Sequence, residues 1–209
     1  MIWLSTALND LRAFPPAARR RAGHELDLLQ QGLEPTDWKP MPTVGDGVYE
    51  LRIRAGGAFR VFYVMKRAEG VIVVHAFQKK SEQTAQIDQD LAAKRYRQYV
   101  VDQRQRLRVS MAIKTQRGSG HVFANLGFAV EDAVNLQLRS DLIIQLRTRL
   151  GKLGVTQTQA ARLLGVSQPR VSDLTRGRID RFSIDMLIKL LGKLGVEVRV
   201  TTRARSRAA

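Results

Sequence analysis

The stretch from Thr156 to Arg176, TQTQAARLLGVSQPRVSDLTR, constrains this chain more than any other. Thr156 and Gln159 have the Thr-x-x-Gln spacing of a capping box, which satisfies two N–H groups at the start of a helix that Gln157 opens. Ala161 is small enough to let a second helix cross closely. Gly165 takes the turn, where a positive φ is often needed. Ser167 is a good N-cap, and Pro169 falls in the next first turn, where a missing N–H costs little. Val171 and Leu174 anchor that helix from beneath. A small residue, a glycine and two aliphatics in one register predict a helix-turn-helix. Gln168, Arg170, Ser172, Asp173 and Arg176 are left pointing outward, and several can read base edges. Gln157, Ser167 and Arg178 join them as candidate DNA contacts. An ordinary helical hairpin with a solvated face is the competing reading.

The chain has 209 residues, enough for one large or two small domains. Its 35 Lys+Arg oppose 19 Asp+Glu, a net charge of +16. Divided at Met111, the first part has 18 basic and 12 acidic residues and the second 17 and 7. Both are basic, so a polyanion partner suits each. Charge alone does not separate nucleic acid from an acidic membrane. No run of 18 or more apolar residues is present, so no spanning helix and no membrane partner are expected. The opening MIWLSTALNDLRAF lacks a basic region and holds Asp10, unlike a signal peptide. Zero Cys excludes disulfides and thiolate metal sites, and the three His are scattered. No metal and no cofactor are expected, and a cytoplasmic location is the simplest account.

Ile2–Leu4 reads as an edge strand, and Ser5 as the cap of a short helix to Ala13. Pro15-Pro16 starts a second helix with Ala18, Ala22, Leu26, Leu29 and Leu33 near one face and Gly32 as its stop. Arg19–Arg21 read as its solvated face. After the turn-rich residues 34–47, three β-prone segments follow, Val48–Arg54, Phe59–Met65 and Val71–Phe77, joined through Gly56-Gly57 and Arg67–Gly70. They predict an antiparallel meander covered on one face by the two helices. Residues 83–108 read as a polar, basic helix docking through Ile87, Leu91 and Tyr99.

Basic residues on the strands carry the candidate chemistry. Arg52 and Arg54 share a strand face, Arg60 lies on the next strand, His75 and Phe77 share a face of the third, and Lys79-Lys80 follow. Paired strands lie ~4.8 Å apart, so one concave patch can hold all of them. The patch has no acidic nucleophile, no Ser–His–Asp set and no metal cluster, and it suits an RNA backbone. RNA cleavage needs the 2′-OH activated, the phosphorane stabilised and the 5′-oxygen protonated. His75 can serve as acid or base. Arg52, Arg54, Arg60, Lys79 and Lys80 can hold the phosphate and its developing charge. Phe77 can stack on a base. The plainer alternatives are a satisfied strand histidine and, favoured for Phe77, simple core.

The run WLSTALNDLRAFPPAARRRAGHELDLLQQGLEPTDWKPM, with VYELRIR, FRVFYV and VVHAFQKKSEQT, resembles the RelE/HigB-type toxins of bacterial toxin–antitoxin systems, in the phage-derived branch of HigB. The resemblance covers about residues 1–100, and HAFQKK is its most specific piece. It implies a ribosome-dependent mRNA endonuclease that cuts codons in the A site without metal. Arg52, Arg54, Arg60, His75, Lys79 and Lys80 occupy matching strand positions. No tyrosine directly follows the last strand, where the best-known members have one, so the general acid/base stays unassigned.

Residues 101–110 are charged and lack a core pattern. Met111 begins MAIKTQRGSGHVFANLGF, which reads as a fresh N-terminus with an apolar box of Val122, Phe123, Leu126 and Phe128. A long helix from Ala133 to about Lys152 carries Leu142, Ile143, Leu146, Leu150 and, just beyond, Leu153 as its stripe, ended by Gly154. Beyond the helix-turn-helix, Ser183 caps a helix with Ile184, Leu187, Ile188, Leu191 and Leu194 inside and Gly195 at its close. Val196, Val198 and Val200 alternate with polar residues, predicting a strand that pairs with its copy in a second subunit or docks on its own domain. The tail RARSRAA is expected to be disordered. GHVFANLGF, TQTQAARLLGVSQPRVSDLTRGR and FSIDMLIKLLGKLGVEV resemble the HigA-like, Cro/repressor-type antitoxins over about residues 111–201. That resemblance implies operator binding, autorepression and neutralisation of a HigB-like toxin.

The expected fold class is α+β. A RelE-like domain of two helices on an antiparallel sheet (1–108) precedes a linker and antitoxin N-terminal segment (109–130). An all-α helix-turn-helix domain with a C-terminal strand (131–201) and a basic tail (202–209) follow. The leading functional reading is a fused toxin–antitoxin protein, an mRNA endonuclease neutralised by its own DNA-binding half. Its expected partners are operator DNA, mRNA on the ribosome, and the opposing half within or between subunits of a homodimer. The alternative is a transcriptional regulator whose N-terminal domain is a non-catalytic dimerisation or sensing module. A general RNA-binding protein is a third option.

Overall fold

The computed structural model describes residues 1–66, 69–105, 115–118 and 120–201. The division at Met111, the start of the expected linker segment (109–114), the turn at Arg67 and the basic tail lie outside the described residues. The fold is mixed α+β, a sheet domain followed by a helical region.

The chain begins with β1 (Ile2–Leu4), α1 (Ala7–Arg12) and α2 (Pro16–Gln30), then β2 (Trp38–Pro40), β3 (Val48–Arg54), β4 (Ala58–Lys66), β5 (Gly70–Gln78) and α3 (Glu82–Gln105). The second part contains β6 (Thr115–Arg117), α4 (Val122–Asn125), α5 (Val130–Leu153), α6 (Gln157–Leu164), α7 (Gln168–Thr175), a 3-10 turn (Ile179–Arg181) and α8 (Ile184–Lys193). Among the described residues the strands form one sheet in the order β2-β3-β4-β5-β1-β6. The meander β3-β4-β5 is as its alternation predicts. Ile2–Leu4 is no edge strand: it pairs parallel to β5 on one side and antiparallel to β6 on the other.

Alternation on the strands divides the first core in two. Leu51, Ile53, Phe59, Val61, Tyr63 and Val73 pack under α1 and α2 with Leu8, Leu11, Ala18, Ala22 and Leu26. Val48, Phe62, Val64, Ile72, Val74 and Phe77 pack on the other side with Ala85, Ala92, Tyr96 and Tyr99 of α3. The sheet is therefore covered on both faces, not one. Of the expected docking residues on α3, Tyr99 is buried, whereas Ile87 and Leu91 are exposed. Thr6, not Ser5, occupies the N-cap of α1, and Ser5 takes a φ of 51°.

The second core gathers Leu142, Ile143, Leu146 and Leu150 of α5 with Ala161, Leu164, Val171, Leu174, Phe182, Leu187 and Leu191. Leu153, expected in the stripe, is exposed, as is Leu33 of the first part. No strand forms over 196–201. Val196 and Val198 lie against the second core, and Val200 is exposed.

The two parts are joined by more than chain. β6 extends the sheet. α4 bridges the cores, with Val122 and Leu126 in the first and Phe123 in the second. Burying an aliphatic side chain of this size contributes about 1.5–3 kcal/mol. Helix α2 is consequently buried on two sides, which explains why its polar His24, Glu25 and Asp27 are inaccessible. Gly23 permits the approach: a Cβ there would lie 2.6 Å from Phe123 Cε1. The expected solvated face at Arg19–Arg21 is half-buried, with the Arg19 guanidinium 4.4 Å over the Phe128 ring and Arg21 3.4 Å from Glu25.

Candidate nucleic-acid interfaces

The strand register places Arg52 opposite Arg60, and Arg60 opposite Phe77. One step along, Glu50, Phe62 and His75 form the next row. His75 alternates with Phe77 and so shares the face of Arg60, while a bulge at Val74, where the register shifts between Phe62 and Tyr63, puts both Val73 and Ala76 on the opposite face. Arg52, Arg60 and His75 are thus brought together on the α3 side. Arg54 follows Arg52 two residues on and is exposed at the strand end, with Lys79 and Lys80 just past β5.

The patch is not open, however. His75 is 4% exposed and lies beneath α3. Its Nε2 is 2.7 Å from Asp88 Oδ1, and its Nδ1 faces Asp10 Oδ2 at 3.2 Å and Arg95 Nη1 at 2.8 Å. Burial alone would raise the pKa of Asp10, but its hydrogen bonds from His75, Arg95 and Thr6 outweigh that and hold it below the ordinary value. Glu50, an acid within the patch, sits 2.9 Å from Arg60 Nε and 3.4 Å from Lys39. Arg52 is 2.7 Å from Asp37. The patch is therefore partly neutralised. Phe77 is buried beside Phe62 and stacks on the His75 ring, so it is core here rather than a free stacking platform. Asp10, Asp88 and Arg95 are the site residues sequence reasoning missed. Each comes from a helix whose approach to β5 depends on tertiary packing.

The helix-turn-helix forms as its residues predict. Thr156 and Gln159 make both bonds of the capping box, and Gly165 ends α6 in the left-handed region at φ 60°. Ser167 holds the N-cap of α7, although its side chain makes no capping bond. Gln157, Ser167, Gln168, Arg176 and Arg178 are exposed, and Arg170, Ser172 and Asp173 are half-buried. Arg170 packs 4.7 Å over the Phe182 ring, and Asp173 pairs with Arg178 at 3.1 Å. Gln157, Ser167, Gln168 and Arg176 are the least committed of the set.

A third constellation lies between α2 and α5. Ser140 Oγ donates to Asp27 Oδ2 at 2.6 Å and lies 2.7 Å from His24 Nδ1. Gln137 donates to both oxygens of Asp27, at 3.1 and 3.0 Å. Because Ser140 gives its one proton to Asp27, Nδ1 of His24 donates to Ser140, and Nε2 keeps a bare lone pair without a partner. Burial, with Arg147 and Arg21 nearby, lowers the His24 pKa to about 3. The bond order is wrong for a catalytic triad, and His24 and Ser140 are both fully buried. This is a structural joint.

Fold and surfaces together define a sheet domain joined to a helix-turn-helix DNA-binding domain. Residues 9–97 match the family described as phage derived protein Gp49-like, and residues 122–203 match the family described as helix-turn-helix domain. The chain therefore joins a Gp49-like domain to a helix-turn-helix domain. A solved chain described as a candidate XRE family transcriptional regulator is 31% identical over 37% of this chain and 88% of its own, with a TM-score of 0.35. No curated protein matches. Among the described residues no helix is long and apolar enough to cross a membrane.

Proposed function

We propose that this is a self-inhibited toxin–antitoxin fusion, in which a HigB-like mRNA endonuclease is carried closed by a HigA-like half that binds its own operator. The observation that carries the reading is the joint: the second part supplies a strand to the first part's sheet, fills its core through Val122 and Leu126, and bonds to α2 through Ser140 and Gln137. An accidental neighbour would not complete the other domain's sheet. Tethering adds an effective concentration of roughly millimolar, so the closed form dominates. In the open form Arg52, Arg54, Arg60, Lys79 and Lys80 hold the scissile phosphate, and His75 moves the proton once α3 withdraws. In the closed form the chain acts on DNA through Gln157, Ser167, Gln168, Arg170, Ser172, Asp173, Arg176 and Arg178. Val130, Val134 and Leu138, exposed at helical spacing on α5, support a homodimer through the second part. The function is cytoplasmic, where operator and ribosome meet.

The fragment 1–105, expressed in bacteria and confirmed soluble, should arrest growth, and the intact chain should not. Changing Arg60 and His75 together to Ala should abolish the arrest. A soluble fragment as harmless as the intact chain would end the endonuclease reading.

One observation favours the second reading, a regulator with a non-catalytic N-terminal module. Arg60 is tied to Glu50, and His75 is sealed between Asp10 and Asp88. Under that reading the double variant leaves growth unchanged in every context.

A further inference from the structure

The β2–β3 edge of the sheet and the end of α7 meet at a cleft where the two candidate surfaces adjoin. It encloses about 420 Å³ and is lined by Arg21, Thr36, Asp37, Arg52, Arg54, Arg176 and Arg178. Five arginines converge there, three from the first part and two from the second. Three have carboxylate partners: Arg21 with Glu25 at 3.4 Å, Arg52 with Asp37 at 2.7 Å and Arg178 with Asp173 at 3.1 Å. Arg54 and Arg176 have no ion pair among the described residues, and both are exposed. The Nε of Arg52 is buried without a hydrogen-bond partner. The cleft thus holds two uncompensated guanidiniums, one from each part, over a floor of paired ones.

The cleft continues. A second cavity of about 290 Å³ shares Arg21, Arg54 and Arg178 and adds Arg181 and Asp180. Cations strung along a groove suit a polymer of phosphates better than one small anion, because each guanidinium can meet a separate phosphate. The like charges already act on one another. Burial first, and Arg178 in addition, lower the pKa of Arg21, while Glu25 opposes them.

Arg176 decides which polymer is in reach. It closes α7, whose N-terminal residues Gln168 and Arg170 face the bases in the DNA reading. A helix of eight residues is about 12 Å long, close to the width of a major groove. The end of α7 therefore lies beside the phosphates that flank the groove. We propose that Arg21, Arg52, Arg54, Arg176 and Arg178 form one phosphate-binding cleft shared by the two parts, through which the backbone of the duplex read by α7 runs. The sheet domain is then part of the DNA-binding surface, and bound DNA covers Arg52 and Arg54. The inference rests on the DNA-reading role of α7 and extends it to the other domain.

The test uses the full chain and a duplex that it selects from a random pool, with a scrambled duplex and a mixed-sequence single-stranded RNA for comparison. Binding is followed by fluorescence anisotropy over a salt series for wild type, Arg54→Ala, Arg176→Ala and the double variant. Arg97→Ala, on α3, removes the same charge from a side chain that, among the described residues, bonds only its own helix, at Ala93. Thermal melts confirm that each variant is folded. Arg54→Ala and Arg176→Ala should each lower the slope of log affinity against log salt by about 0.9, and the double variant by about 1.8. Both duplexes should weaken alike, because phosphate contacts carry no sequence information. Arg97→Ala should match wild type. The proposal is overturned if Arg54→Ala keeps the wild-type slope while Arg176→Ala loses it, or if Arg97→Ala loses as much as Arg54→Ala. It is also overturned if Arg54→Ala weakens RNA binding alone, which would make the cleft an RNA site. A wild-type chain that selects no duplex would remove the DNA reading itself, an outcome distinct from failure of the shared cleft.

Discussion

Two histidines are buried in this molecule, and their surroundings are opposite. His24, on α2 at the joint between the two parts, meets one hydroxyl and has arginines 21 and 147 nearby, which favour its neutral form. His75, on β5, is flanked by the carboxylates of Asp10 and Asp88 and by Arg95. The first environment is dry and fits a fixed joint. The second sets two carboxylates and a guanidinium around one imidazole. The difference also separates two jobs. The second part grips α2 on its far side from the sheet, while His75 is covered by the first part's own α3. Neutralisation in the proposed function therefore acts by holding the sheet domain in its closed state, not by laying the helix-turn-helix over His75.

The largest effect that should sharpen this contrast is the response to acid. His24 is held neutral, with its pKa lowered from 6.5 to about 3, while the unfolded chain takes up a proton near 6.5. The stabilisation is fully present above pH 6.5 and is lost as pH falls toward 3, at about 1.4 kcal/mol per pH unit at its steepest. Asp10, whose pKa is lowered, loses its contribution only below the ordinary carboxylate value of 3.8, whereas burial raises the pKa of Asp141, which therefore favours the folded chain as pH falls and opposes His24 within the window from 6.5 to 3.8. Urea denaturation between pH 6.5 and 3.8 should show the fall in wild type and its loss in His24→Asn.

Next in size is the glycine that closes over His24. Gly177 has a φ of 59°, and a Cβ there would lie 2.4 Å from His24 Cδ2. Gly177→Ala should destabilise the chain by about 1–3 kcal/mol, through backbone strain and the forced shift of His24. A melting temperature equal to wild type would show that the joint is looser than described. The smallest effect belongs to the other histidine. Asp88→Asn keeps an acceptor for His75 Nε2 but removes a charge, at about 1 kcal/mol. Hydrogen exchange should then quicken over α3 more than over α5, because Asp88 holds α3 to the sheet.

Much of this was legible in the residues because local rules agree with the tertiary outcome. The capping box, Gly165 and the aliphatics at 171 and 174 needed no distant partner to specify α6 and α7. The alternation of β3, β4 and β5 made the face shared by Arg52, Arg60 and His75 readable, but it did not show the bulge at Val74, which shifts the register of the first half of β5. The joint was not legible. Thr115–Arg117 is three polar residues with no strand signature, and it pairs because the edge of β1 is available. Gly23 was the available signal: an isolated glycine inside a helical pattern marks close packing. Val196 to Val200 shows the converse, an alternating pattern that forms no strand, with two of its valines lying against α-helical core instead.

The central claim, that the sheet domain is a nuclease kept closed by the rest of the chain, is tested most directly by cleavage of ribosome-bound message in a cell-free translation reaction. Soluble 1–105 should cut the message, addition of 115–209 in trans should stop it, and the intact chain should leave the message whole. Cutting by the intact chain at the rate of the fragment would contradict the closure, and a folded fragment that never cuts would contradict the nuclease.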